Sequence, residues 1–123
     1  MKRHSFWGIL TAAVCAFSAH SSIASAAEYD GKWSVHITTN QGGCARTKQY
    51  DVNVANGRIH YFSYTSVSMY GVVAPDGRVI VSLRHFDDKA EGTGRLSGQS
   101  GTGDWKGVGK FAACAGRWEA QRR

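Results

Sequence analysis

The sequence predicts an all-β domain, a small eight-stranded antiparallel barrel of up-and-down connectivity. Three observations carry this. After residue 27 no stretch repeats apolar residues at intervals of three and four, so nothing asks for a helix. Eight short runs instead alternate apolar and polar residues with period two, and glycine-rich turns separate them. Two cysteines, Cys44 and Cys114, stand at the end of the first run and the start of the last, where a closing seam would bring them together.

The first run, Lys32 to Thr39, sets Trp33, Val35 and Ile37 on one face, and the polar loop through Gly42 and Gly43 to Cys44 follows. The second, Gln49 to Ala55, keeps Tyr50, Val52 and Val54 in phase and ends at Asn56-Gly57, a pair suited to a two-residue hairpin whose turn positions both need positive φ. The third and fourth runs are Arg58 to Tyr64 and Val67 to Val73. Pro75-Asp76-Gly77 then makes a turn in which proline presets φ and glycine takes the left-handed position. The fifth run, Arg78 to Arg84, turns Val79, Val81 and Leu83 inward. The last three, Lys89 to Ser97, Gly101 to Lys110 and Cys114 to Gln121, are rich in glycine, with Leu96, Trp105 and Trp118 in phase.

Eight evenly spaced strands with short turns form a meander, and a meander of eight closes into a calycin-like barrel without edges. Closure pairs the first and last strands antiparallel, so a Cys44–Cys114 disulfide would staple the seam; a two-sheet sandwich is the alternative arrangement. Glycines on the inner face of the sixth and seventh strands leave room for Trp33, Trp105 and Trp118. The expectation is therefore an interior filled by side chains, as in the smallest barrels, with no large ligand cavity.

Residues 1–26 read as a secretory signal and residues 27–123 as one domain. Met1 to His4 is basic, an apolar run follows from Phe6 to Phe17, and Ala24-Ser25-Ala26 offers the small-residue pattern that signal peptidase accepts. The apolar run is too short to span a bilayer, which takes about 20 residues. Val14 before Cys15 argues against a lipid anchor. Cleavage is expected after Ala26 or Ala27, which places the domain in the periplasm or the medium. Loss of Lys2 and Arg3 takes the formal net charge from +6 to +4, a mild excess that serves solubility. Cys15 leaves as well, so two cysteines remain in an oxidising compartment, and a bridge between them closes a long loop worth roughly 3–4 kcal/mol. A domain this small gains from such a constraint.

The search for chemistry finds no catalytic constellation. No serine sits in a G-x-S-x-G elbow. The glycine-rich segment Gly92 to Gly98 lacks the following helix that a phosphate loop needs. His36 and His60 fall on outward phases of strands separated by a third, and Glu91, Asp104 and Glu119 also face outward. His85, Asp87 and Asp88 are the residues around which a hydrolase or metal-dependent reaction would have to be built. No cofactor is called for, and an exported protein is a poor fit to nucleic acid. Tyr61, Phe62, Tyr64, Met69 and Tyr70 cluster on the third and fourth strands, and alternation must turn some of them outward. With Arg58 beside them, and Arg78 and Arg84 further along, they form a candidate surface for a protein or glycan partner.

Two resemblances follow. Tyr29-Asp30-Gly31-Lys32-Trp33-Ser34-Val35, Gly92-Thr93-Gly94-Arg95-Leu96-Ser97-Gly98, Trp105-Lys106-Gly107 and Cys114-Ala115-Gly116-Arg117-Trp118 look like segments of small exported proteins of rhizobia-like alphaproteobacteria. That likeness covers nearly all of 27–123 and implies export and fold rather than an activity. Gly31-Lys32-Trp33 and Gly116-Arg117-Trp118 also resemble the G-x-W segments of small periplasmic barrels that inhibit metalloproteases. No inhibitory residue carries over, because the second cysteine here stands near the C-terminus and only Ala27 to Asp30 precede the first strand. The function expected is thus a non-catalytic binding module of the cell envelope or medium, with protease inhibition as the alternative and an enzyme after it. No transmembrane segment is expected in 27–123.

Overall fold

A computed structural model describes residues 8, 11–16, 26–63, 66–108 and 113–123. Most of the segment read as a secretory signal therefore lies outside the described residues. A short 3-10 turn, Ala26–Tyr29, leads into eight strands: β1 (Gly31–Gln41), β2 (Thr47–Ala55), β3 (Arg58–Phe62), β4 (Val67–Val73), β5 (Arg78–His85), β6 (Asp88–Ser97), β7 (Ser100–Val108) and β8 (Ala115–Arg122). Each strand pairs antiparallel with its chain neighbours, and β8 pairs with β1 to close the barrel. Every strand thus has two neighbours, and the sandwich alternative falls away. Among the described residues no helix is long and apolar enough to cross a membrane.

The closing seam sets Trp33 opposite Arg122, Val35 opposite Ala120 and Ile37 opposite Trp118, with an irregularity between Thr39 and Gln41. Just beyond it the Cys44–Cys114 disulfide joins the β1–β2 loop to the residue preceding β8, Cα to Cα 6.1 Å. Sulfur and ladder fasten the same seam, as the cysteine positions predict.

Up-and-down order gives the barrel two unlike ends. Its base carries the turns after β2, β4 and β6, together with the residues before β1 and after β8. Its rim carries the other turns and the disulfide. Asn56 and Gly57 both take positive φ, 52° and 71°, which matches the twist of the strands they join. The Asp30 carboxylate accepts the N–H groups of both, at 2.7 and 3.1 Å, and so ties the approach to β1 onto the β2–β3 turn. Gly77, at φ 91°, approaches the Leu96 carbonyl and the Tyr29 hydroxyl so closely that a Cβ would not fit.

These contacts build a floor. Trp33 is 1% exposed and donates its indole N–H to the Tyr29 carbonyl at 2.8 Å. The Arg122 guanidinium stacks 4.8 Å from the Trp33 ring and donates to the Asp30 and Glu28 carbonyls at 2.8 and 2.7 Å. Tyr29, Val54, Val73, Val79 and Leu96 complete the buried base. One stretch of wall is thinner. β2 and β3 share the pairs Asn53–His60, Val54–Ile59 and Ala55–Arg58, and among the described residues no ladder continues above them towards the rim.

Candidate functional site

Burial falls from base to rim along the inward phase of β1, β2 and β5. On β1, Trp33 is buried while Val35 and Ile37 are half-buried. β2 repeats the pattern with Val54 and Val52 buried, Tyr50 half-buried and Lys48 exposed. On β5, Val79 is buried and Val81 and Leu83 are half-buried. The apolar side chains of the upper half therefore line a space they do not fill.

That space is a cavity of about 220 Å³, walled by Val35, Ile37, Tyr50, Val81, Leu83 and Trp105 and bounded below by Trp33 and Trp118. It shares Cys44, Ala45, Leu83, Ala90 and Trp105 with a wider hollow at the rim, about 510 Å³, whose wall also includes Cys114. The barrel is thus a cup with a vestibule beside the disulfide. This corrects the expectation of a filled interior. The glycines do receive the tryptophans: Trp118 lies across Gly94 and Gly103, and Trp105 lies against Gly116. Each indole occupies the recess in the wall instead of the centre, and Ala90 and Gly92 add no bulk at that height. An eight-stranded ring is wide enough for one small ligand when its inward residues are small.

The polar groups of the cup are few. Trp105 and Trp118 donate their indole N–H groups to the Thr38 and Thr93 carbonyls, at 3.0 and 3.2 Å, so neither needs a ligand. Tyr50 and Tyr61 meet edge to face across the β2–β3 wall, centroids 5.5 Å apart. Burial first, and Tyr61 second, push the Tyr50 phenol above its ordinary value, so it stays neutral as a hydrogen-bonding group. Among the described residues no charged or polar side chain is buried. Lys48 stands at the mouth, on the inward phase opposite Ile37.

The aromatic cluster singled out from the sequence divides between two faces. Tyr61 and Met69 are cross-strand partners that both turn into the barrel, so they belong to the cup and not to the outer wall. Tyr70 lies outside, its ring against His60 at 5.2 Å, and Arg58 lies outside opposite Val72. Tyr64 and the Phe62 side chain fall outside the described residues. Val72 and Ile80, paired across β4 and β5 and exposed, continue the outer apolar stripe. Their signal in the sequence is a broken alternation: Val72-Val73 and Val79-Ile80-Val81 leave the outward member ambiguous.

The histidines weighed for catalysis stay apart from one another. His36 and His60 are exposed on β1 and β3, with β2 between them. Glu91, Asp104 and Glu119 are exposed. His85 packs on Phe86 and pairs with Asp88 across the turn, while Asp87 is exposed. Among the described residues no group of three or more His, Cys, Asp or Glu side chains is placed to hold a metal ion.

Fold and site together define a small closed antiparallel barrel whose upper half is an apolar cup. Comparisons with protein-family models, curated proteins and solved structures give no significant match to this chain.

Proposed function

We propose that this protein is an exported, non-catalytic binding protein that holds one small apolar ligand in the upper half of its barrel. A single observation carries the reading: Val35, Ile37, Val81, Leu83 and Trp105 point inward yet stay half-buried around an unfilled cavity. Apolar surface in that position gains from a guest that removes it from water. The cup exceeds the roughly 150 Å³ apolar cavity known to take benzene and falls below the 300–1,000 Å³ usual for drug-sized ligands. The cup alone matches a single ring or a short acyl chain, and the cup together with the adjoining hollow of about 510 Å³ admits a larger aromatic such as a naphthylamine.

Export rests on the basic, apolar and small-residue segments of residues 1–26. Tyr29 is buried and the Glu28 carbonyl accepts from Arg122, and a cut after Ala26 keeps both together with Ala27, whose carbonyl accepts the Asp30 N–H at 3.1 Å.

The test is a titration of the protein with the neutral fluorescent dye N-phenylnaphthylamine. Saturable enhancement at one dye per chain is expected, and Ala90→Leu, which fills the cup, should abolish it while the far-ultraviolet circular dichroism keeps its β form. Absence of saturable binding to the folded parent protein would overturn the reading.

A further inference from the structure

We infer that the ligand is an amphiphile with a single acidic head, a short-chain or single-ring carboxylate, whose head group is met by Lys48 at the mouth of the cup. The inference rests on the reading of the cup as a ligand site and adds the chemistry of the ligand.

Lys48 occupies an unusual place. In β2 the inward phase runs Lys48, Tyr50, Val52, Val54, so a cation tops a column that is apolar or aromatic below it. Its cross-strand partner is Ile37, an apolar wall residue. Among the described residues Lys48 forms no ion pair; the two bridges there are Arg78–Asp76 and Arg123–Asp51, on the outside of the barrel. Glu91 borders the same cavity, but from the outward phase of β6, opposite the exposed Ser82 and Lys106, so its carboxylate faces solvent. In the wider vestibule Asp88 stands on the inward phase of β6 opposite His85, on the rim above the cup and outside its lining, while Lys89 turns outward. Of the inward-phase charges at the rim, Lys48 is therefore the one that borders the cup itself, at the level where a guest's head would emerge.

The side chain suits the task. A lysine lays its methylene stem along an apolar wall and keeps its ammonium in water. A carboxylate at the mouth keeps most of its own hydration and gains the attraction of that ammonium, while its tail enters the apolar cup. A head carried deeper would meet only the two phenols and apolar wall, where an unpaired charge is costly. An exposed pair of this kind is worth little in absolute terms, so its effect is a preference among heads and not the main source of affinity.

The experiment displaces N-phenylnaphthylamine from the full chain with three amphiphiles of one tail length: decanoate, decanol and decyltrimethylammonium. Decanoate should displace the dye at a concentration roughly fivefold below decanol, with decyltrimethylammonium weakest. That preference should shrink as salt is raised. Lys48→Gln should bring decanoate to the level of decanol and leave dye and decanol unchanged, since the tail site is intact. Equal displacement by decanoate and decanol in the parent protein, or a preference that survives Lys48→Gln, would overturn the assignment of the head group and leave the apolar cup standing. Failure of the dye and all three amphiphiles to bind would remove the cup and the head-group assignment together.

Discussion

Tyr50 shows how one side chain couples the cup to stability. Its phenol is held above its ordinary value of 10.0 by burial, and further by Tyr61. The unfolded chain releases this proton near the ordinary value, while the folded chain keeps it to higher pH. The resulting stability is fully present below about pH 10 and is lost as pH rises through the folded value. Denaturant unfolding of the parent and of Tyr50→Phe, followed from about pH 8 to about pH 11, should show the parent losing stability more steeply above pH 10. Superimposable pH profiles would show that the phenol is not held this way. Trp33 illustrates a different residue-scale solution. Its indole is fully buried, its N–H is satisfied by the Tyr29 carbonyl and its face is covered by Arg122, so one ring anchors the first strand, the last strand and the segment before both.

At the scale of elements, the β2–β3 hairpin is the weakest part of the wall and is reinforced from outside itself. It has three ladder pairs, whereas β1 pairs with β8 over nearly its whole length. Its turn is held by the Asp30 carboxylate, which accepts two backbone N–H groups. Asp30→Ala should cost about 1–2 kcal/mol in unfolding free energy, as for the loss of a capping carboxylate, and Asp30→Asn should recover part of this through its remaining amide oxygen. A loss confined to a few tenths of a kcal/mol would show that the turn stands alone. The strands themselves are legible in the sequence because alternation reports a two-sided wall, and Asn56-Gly57 and Pro75-Asp76-Gly77 mark their ends. Less legible is which face a residue takes where apolar neighbours follow one another, as at Met69 to Val73; this is why Tyr61 and Met69, read as part of a surface cluster, prove to be interior.

For the whole molecule, closure is readable from the cysteine positions, while the cavity is not. A void is what remains after eight strands have each contributed their inward side chains, and no single run of sequence reports that remainder. The glycines of β6 and β7 predict space for indoles correctly; they do not reveal that the indoles seat against the wall and leave the centre free. The floor is equally hidden, because Arg122 reaching the Asp30 and Glu28 carbonyls joins the two ends of the domain without any sequence period. Ring closure also sets the energetic role of the bridge. The Cys44–Cys114 link spans 70 positions, so a Cys44→Ser, Cys114→Ser double variant should lose roughly 4 kcal/mol while keeping its β circular dichroism. An unchanged melting temperature in that variant would show that the β1–β8 ladder alone sets the closure.

The β1–β8 seam has a consequence in time. A ring stitched between its earliest and latest strands cannot shut while the latest is still being synthesised, because β1 has no partner on one side until Ala115–Arg122 has emerged. Local hairpins can flicker along the nascent thread, but the cooperative structure waits for β8. If the chain is exported as proposed, a polypeptide that stays unshut until β8 has emerged is slender enough to be drawn lengthwise through a narrow channel, and it would then coil into its final shape on the far side, where oxidants can set the sulfur link.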